Sequence, residues 1–182
     1  MDRTGVTEDS QLVASAAAGD ERAFEALVRA HIDAVYGHAL RFFGDPQAAE
    51  DATQEVFVKV YRSLPGFDGR SAFSTWLFRV TRNVCLDMVR AQKRVPLPAE
   101  LSDFDPPRSE DAADLVALSD AVEKAIATLP PEEREALGAI AVFDLSYEQA
   151  AEALGVPVGT VKSRVFRARK ALAVLLTATE EA

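Results

Sequence analysis

Apolar side chains recur at three- and four-residue steps through most of the 182-residue chain, and no segment shows the strict alternation that is typical of strands. The clearest stripe lies in residues 21–43, where Asp20 has the position of an N-cap and Gly44 that of a helix stop. Similar signals predict helices over residues 7–18, 21–43, 46–63, 76–93, 115–128, 130–141, 146–154 and 158–176. The chain is therefore predicted to be all-α.

Residues 95–114 interrupt this pattern, because prolines there are interspersed with acidic side chains, a composition that cannot build a core. We therefore expect two small helical domains joined by a flexible acidic linker. The predicted division is an N-terminal extension at 1–19, a first domain at 20–94, the linker at 95–114, a second domain at 115–176 and a C-terminal tail at 177–182.

Two basic blocks stand out in a chain that is acidic as a whole, with a formal net charge of −9 at pH 7. Residues 61–94 carry seven basic and two acidic side chains, and residues 158–172 carry five basic and no acidic ones. A protein that covers nucleic acid without sequence preference should be basic overall, so the net charge excludes that class of protein. Two local DNA-binding surfaces fit the charge pattern instead. The acidic remainder predicts weak DNA affinity for the isolated protein.

The sequence gives no sign of a membrane span, a secretory signal, a cofactor or a metal site. No apolar run approaches the ~20 residues of a membrane span, and His31 and His38 are the only histidines. The single cysteine, Cys85, cannot form an internal disulfide, and its place in the apolar pattern favours a core position over a redox sensor. We expect a soluble protein of the reducing cytoplasm with neither cofactor nor metal.

The most specific local pattern covers residues 146–164. Ser146 and Gln149 have the spacing of a capping box, Gly155 ends that helix, and Pro157 helps to begin the next one. A short turn between two such helices is typical of a helix-turn-helix. The buried stripe of its second helix is predicted to consist of Val161, Val165, Ala168 and Leu172.

The face opposite that stripe carries side chains suited to reading DNA. At 100° per residue, the outward positions are Ser163, Phe166, Arg167 and Lys170, with Thr160 and Lys162 on the shoulders. The two donors of an arginine guanidinium group match the acceptors of guanine, and the apolar ring of Phe166 can contact the methyl group of thymine. The alternative is a solvated basic face on a protein-binding helix, but five basic residues without an acid favour DNA. Arg164 and Arg169 lie nearer the flanks, where phosphate contacts or pairing within the domain suit them better.

An acidic helix face in the first domain includes Asp51, Gln54, Glu55 and Lys59, which cannot all point into the core. Composition alone favours the interpretation that this is a solvated surface.

Residues 67–83 interleave aromatic rings with arginines, an arrangement that suits the stacking of unpaired bases. Core packing is the expectation for Phe73, Leu77 and Val80, while both roles stay open for Phe67 and Trp76. The glycine-containing loop at 67–71 precedes a helix and is a candidate pocket for a base that has left the duplex.

Four segments taken together closely resemble the sigma-70 family of bacterial sigma factors, in particular the short extracytoplasmic-function (ECF) type. The matching segments, in the expected order, are EDATQEVF at 50–57, FDGRSAFSTWL at 67–77, LPPEERE at 129–135 and GVPVGTVKSR at 155–164. The resemblance covers about residues 20–94 and 115–175. It implies an RNA polymerase specificity subunit without an active site of its own, because core polymerase supplies catalysis.

The resemblance also implies residue roles. Core RNA polymerase would be bound through the clamp helices of β′ by Asp51, Gln54, Glu55 and Phe57, which reverses the interpretation of that face as merely solvated, and the β subunit is a further expected contact. The −10 promoter element would be bound by Phe67, Gly69, Arg70, Trp76, Arg79 and Asn83. The −35 element would be read by Thr160, Lys162, Ser163, Phe166, Arg167 and Lys170. An anti-sigma factor that covers these surfaces is an expected partner.

Two other classes of protein share parts of this pattern. A dimeric transcriptional regulator could use the same helix-turn-helix, with the first domain as a sensor or dimerisation unit, and would protect a palindromic site without polymerase. An enzyme with a helix-turn-helix tail lacks support, since the sequence shows no phosphate-binding glycine loop, nucleophile constellation or metal-ligand spacing.

Overall fold

The computed structural model describes residues 4–94, 122, 125–126 and 128–180. Within these ranges every regular element is helical, as predicted. The helices are α1 (Thr4–Ala17), α2 (Glu21–Phe43), α3 (Pro46–Ser63), a 3₁₀ turn (Leu64–Gly66), α4 (Phe73–Arg94), α5 (Pro131–Ala141), α6 (Tyr147–Leu154) and α7 (Val158–Glu180). The predicted linker at 95–114 and most of the predicted helix at 115–128 lie outside the described residues.

Capping contacts confirm both predicted ends of α2 and the predicted start of α3. The Asp20 side chain accepts hydrogen bonds from the backbone N–H groups of Arg22 and Ala23 at the start of α2. Gly44 ends that helix in the left-handed region at a φ of 69°, where a side chain would be strained. Asp45 then caps α3 by accepting from the N–H of Ala48.

Two helix starts differ from the prediction. α4 begins at Phe73, three residues early, because Phe73 is buried and packs against the rings of His31 and Trp76, which holds the preceding turn in place. α1 begins at Thr4, three residues before the predicted start at residue 7. α1 packs on the first domain through its buried side chains Val13 and Ala16.

The core of the first domain lies where α2, α3 and α4 cross. Its fully buried large side chains are Leu27, Val35, Val56, Val60, Leu64, Leu77 and Phe78. Cys85 is also fully buried, which confirms its expected core position. Burial raises the pKa of its thiol to about 12, so the group stays protonated and inert at neutral pH.

The second domain folds as the predicted helix-turn-helix. Ser146 and Gln149 form both hydrogen bonds of the capping box, and Gly155 ends α6 with a φ of 68°. The predicted stripe on α7 is buried at Val161, Val165 and Ala168, while Leu172 is half-buried. Ala150 of α6 is fully buried, and its small side chain allows the helices of the motif to pack closely.

The two domains are in direct contact, which the sequence did not predict. α4 packs against α6, and α2 packs against α5. Arg134 of α5 donates a hydrogen bond of 3.1 Å to the carbonyl oxygen of Arg41 near the end of α2. Over the described part of the chain, no helix has the length and apolar character that a membrane crossing needs.

Candidate functional site

The outer face of α7 presents most of the predicted −35 residues to solvent. Lys162, Ser163 and Lys170 are exposed, Thr160 is half-buried, and the Phe166 ring is 69% exposed. An aromatic ring left in water on a basic helix has no structural role in the domain core. It suits contact with a partner surface, such as the thymine methyl groups of a major groove.

Arg167 departs from the simple outward arrangement because it has a partner within its own domain. Its Nε donates to Oε1 of Glu133 on α5 at 2.6 Å, although the Arg167 side chain stays 55% exposed. Glu133 is almost buried, at 8% exposure. The pair therefore fixes the direction of the guanidinium group at the edge of the outer face. This contact involves residues 34 positions apart, so helical periodicity alone could not reveal it.

The loop before α4 brings three aromatic rings together. The centroids of Phe67 and Trp76 lie 5.2 Å apart, and Phe73 lies 5.7 Å from Trp76. Phe67 and Trp76 are half-buried, so each packs on the core with part of its ring and leaves the rest accessible. Phe78, which the sequence places in the same aromatic and basic segment, is fully buried and belongs to the core.

The turn between Phe67 and α4 is shaped by its own short-range contacts. Asp68 accepts from the backbone N–H of Arg70 and pairs with its guanidinium group at 2.8 Å. Gly69 between them has a φ of 69°, which a residue with a Cβ rarely adopts. The Arg70 side chain is 89% exposed. The loop therefore presents a cation beside an aromatic cluster.

The remaining −10 candidates lie along α4. Asn83 is exposed. Arg79 instead pairs with Glu152 of α6, with Nη2 and Oε1 2.7 Å apart. Arg82, another arginine of the segment at 67–83, pairs with Glu135 of α5 at 3.1 Å. Both pairs connect the first domain with the second.

The acidic face of α3 is open. Asp51, Gln54 and Glu55 are exposed, whereas Phe57 is half-buried and packs against the core from its edge. Asp51 and Glu55 form one wall of a groove of about 440 Å³ between α3 and α4.

The opposite wall of that groove includes Asp87 and Met88 of α4, which sequence reasoning missed. Asp87 is one of only two acids in the basic block at 61–94, and this isolation was the signal that could have singled it out. The groove thus carries three acids and one lysine, Lys59, whose Nζ lies 3.9 Å from Oδ2 of Asp87, and it is partly apolar inside. Across the described residues, His, Cys, Asp and Glu side chains form no group of three that could hold a metal ion.

Comparison with known proteins gives two family matches in succession. The family model for Sigma-70 region 2 matches residues 27–95, and the model for Sigma-70, region 4 matches residues 119–172. The chain is 37% identical over 177 residues to the RNA polymerase sigma-H factor of Pseudomonas aeruginosa, covering 91% of this chain and 92% of that protein.

It is also 34% identical over 166 residues to the ECF RNA polymerase sigma factor SigW of Bacillus subtilis, covering 85% of this chain and 89% of that one. Among solved structures, the sigma factor RpoE in complex with the anti-sigma factor NepR from Bartonella quintana matches with a TM-score of 0.65 and 28% identity. That match covers 85% of this chain and 96% of the solved one.

Proposed function

The chain belongs to the extracytoplasmic-function group of the sigma-70 family of RNA polymerase sigma factors, and from this premise we propose that its two domains bind separate elements of a promoter. As a sigma factor it directs promoter-specific transcription initiation and is not an enzyme. The observation that carries the proposal is the order of two family regions along one chain, each with an exposed polar or basic surface.

We assign the −35 element to the outer face of α7. Lys162, Ser163 and Phe166 reach solvent from one face of the second helix of the helix-turn-helix, the helix that enters the major groove in this motif. Arg167 offers a fork for guanine, and Glu133 holds its guanidinium group in one direction. Thr160 and Lys170 extend the face along the groove.

We assign the −10 element to the aromatic loop and α4. The half-buried rings of Phe67 and Trp76 would stack on unpaired bases. Gly69 allows the tight turn of the adjacent loop, and the exposed Arg70 gives that loop a positive charge. Asn83 is exposed further along the same helix, where its amide can both donate and accept hydrogen bonds at a base edge. Arg79 would attract the backbone of the separated strand once its present partner leaves.

We assign core polymerase binding to the acidic face of α3. Asp51, Gln54 and Glu55 would bind the clamp helices of β′, and Phe57 would support that face from the core side. Opposite charge across such an interface speeds association and fixes its register. The second domain would contact the β subunit.

We further propose an anti-sigma factor as a partner, because the matched Bartonella quintana structure holds such a complex and the match covers 85% of this chain. The inhibitor would compete with polymerase and DNA for the surfaces assigned above. The protein would then function in the cytoplasm, where core polymerase transcribes.

The decisive experiment is reconstituted transcription with core polymerase on a library of promoters. The chain should create start sites that core polymerase alone does not use. Asp51→Lys with Glu55→Lys should lower affinity for core polymerase about tenfold or more, since each charge reversal turns attraction into repulsion. Asp33→Lys with Glu148→Lys changes the net charge equally at exposed sites away from α3 and serves as the control.

Two results would overturn the proposal. One is the absence of new start sites together with no association between the chain and core polymerase. The other is protection of a palindromic DNA site by the chain alone, which would favour a dimeric regulator.

A further inference from the structure

One basic side chain on the outer face of α7 is held in place by a carboxylate from another helix. Nε of Arg167 lies 2.6 Å from Oε1 of Glu133, which is a short, charge-assisted hydrogen bond. Lys162 on the same face instead has its Nζ 5.6 Å from the centre of the Tyr147 ring, and an ammonium group has no planar fork that such a contact could orient. The contact with Glu133 therefore gives Arg167 a defined direction.

Glu133 is a rigid support for this hydrogen bond. The residue is 8% exposed and lies in the first turn of α5, where the helix dipole favours a negative charge. α5 packs directly on α7, and Ala136 of α5 and Val165 of α7 are fully buried in the same domain. Both partners of the pair belong to the second domain, so the pair does not depend on how the two domains are arranged.

The hydrogen bond leaves the two terminal nitrogens of Arg167 for DNA. A guanidinium group can present paired donors side-on, through Nε and one Nη, or end-on, through Nη1 and Nη2. Glu133 takes the Nε–H, which excludes the side-on arrangement. Within the part of the chain that the structure describes, Nη1 and Nη2 have no partner, and the side chain is 55% exposed. The end-on donors therefore remain to match O6 and N7 of a guanine.

The carboxylate also changes how Arg167 is attracted to the DNA backbone. An unpaired cation is drawn to phosphates along the whole duplex, which adds affinity but carries no sequence information. The charge of Glu133 offsets that of Arg167, whereas the directional donors at Nη1 and Nη2 are kept. Pairing should therefore favour discrimination between sequences over general affinity for DNA.

We propose that Glu133 is a positioning residue for promoter specificity, which restricts Arg167 to end-on recognition of one guanine in the −35 element. This inference rests on the proposed function, because it takes the outer face of α7 as the −35 surface. It adds a residue of α5 to the determinants of specificity, although α5 is not the helix that enters the major groove. A change at Glu133 should thus alter base preference at one promoter position while the sequence of α7 stays the same.

The test is a selection with holoenzyme, reconstituted from core polymerase and the full chain, on promoter duplexes randomised across the −35 element. Wild-type holoenzyme should enrich guanine at a position where Arg167→Ala loses the preference, which identifies the base pair. Glu133→Ala should lower the guanine preference at that same position about threefold or more. The reason is that ordering a free arginine costs about 2- to 12-fold in binding, and the complex then bears this cost. Preferences at the other positions should stay unchanged.

Two variants separate positioning from a loss of stability. Glu133→Gln keeps an acceptor for the Nε–H of Arg167 and should restore most of the guanine preference. Glu132→Gln is the matched control, because this exposed neighbour lies on the same helix, and its change to glutamine removes the same charge and should leave the preference unchanged.

Nuclear magnetic resonance of the free chain tests the contact without DNA. The arginine Nε–H signal that is missing from Arg167→Lys belongs to Arg167. This signal should exchange with water more slowly in the wild type and in Glu132→Gln than in Glu133→Ala, because the hydrogen bond to the carboxylate protects it.

Three results would overturn the inference. One is an unchanged guanine preference in Glu133→Ala. Another is an equal loss of preference at every −35 position with Glu133→Gln no better than Glu133→Ala, since Glu133 would then act through stability alone. The third is an Nε–H signal of Arg167 that exchanges equally fast in the wild type and Glu133→Ala. If wild-type holoenzyme enriches no −35 sequence at all, the proposed function fails and this inference fails with it, a result distinct from the other three.

Discussion

The buried imidazole of His38 makes the stability of this protein depend on pH. Burial, together with the charges of Arg41 and Arg82, lowers the pKa of His38 from 6.5 to about 4. A cavity beside His38 is lined on the facing domain by two charged residues, Arg134 and Glu135. An unfolded chain binds a proton on this ring near pH 6.5, whereas the folded chain does so only near pH 4. The contribution of the neutral His38 ring to the free energy of unfolding is therefore fully present above pH 6.5. It declines as the pH falls from 6.5 toward 4.

The size of the effect follows from the shift. Between about pH 7.5 and about pH 5.5, the titration of His38 alone should lower the free energy of unfolding by about 1.3 kcal/mol. The assay is urea unfolding at both pH values, with His38→Leu as the reference that cannot titrate at this position. All carboxylates and His31 are common to both proteins, so the difference between their pH responses isolates His38.

The second measurement is nuclear magnetic resonance of the two imidazoles. In the folded protein the His38 signal should stay that of a neutral ring down to about pH 5. Equal loss of stability in the wild type and His38→Leu, or a His38 signal that titrates near pH 6.5, would refute the reasoning.

Three further changes have defined outcomes. Val161→Ala removes two methyl groups from a fully buried site of the helix-turn-helix and should cost about 2 kcal/mol in urea unfolding; a stability equal to wild type would contradict the packing of α7. Arg167→Ala should reduce discrimination among −35 variants by about 1–3 kcal/mol in binding to polymerase holoenzyme, whereas Arg169→Ala should weaken all variants alike. Asn83→Ala should change base preference near the −10 element in run-off transcription, and an identical promoter profile would rule out a base contact.

The helices that the sequence predicts best are those with chemically specific ends. The Asp20 cap, the left-handed Gly44 and the capping box of Ser146 and Gln149 depend on a few neighbouring residues, so the local pattern contains the necessary information. The start of α4 was less predictable because it depends on the packing of Phe73 against rings from other parts of the first domain.

The candidate surfaces show the same division between local and distant information. Periodicity correctly placed Ser163 and Phe166 on the outer face of α7, since that direction follows from the buried stripe of the same helix. It could not show that Arg79 contacts Glu152, a residue 73 positions away, because that pair exists only when the two domains pack together.

Phe78 illustrates the limit of reading chemistry from neighbours in sequence. It lies between Trp76 and Arg79, in a segment whose aromatic and basic residues are typical of a surface that stacks on bases. Its ring is nevertheless fully buried and contacts Phe143 of the second domain. A helix that is covered from two sides buries more of its circumference than one amphipathic stripe suggests.

The burial of Cys85 has a consequence for cells under peroxide attack. Oxidation of a cysteine to a sulfenic acid starts from an accessible thiolate, and this chain offers none, because the thiol of its one cysteine is enclosed and stays protonated. Peroxide therefore leaves the Cys85 thiol unchanged, and a response of this protein that depends on cysteine oxidation would need a thiol on another molecule.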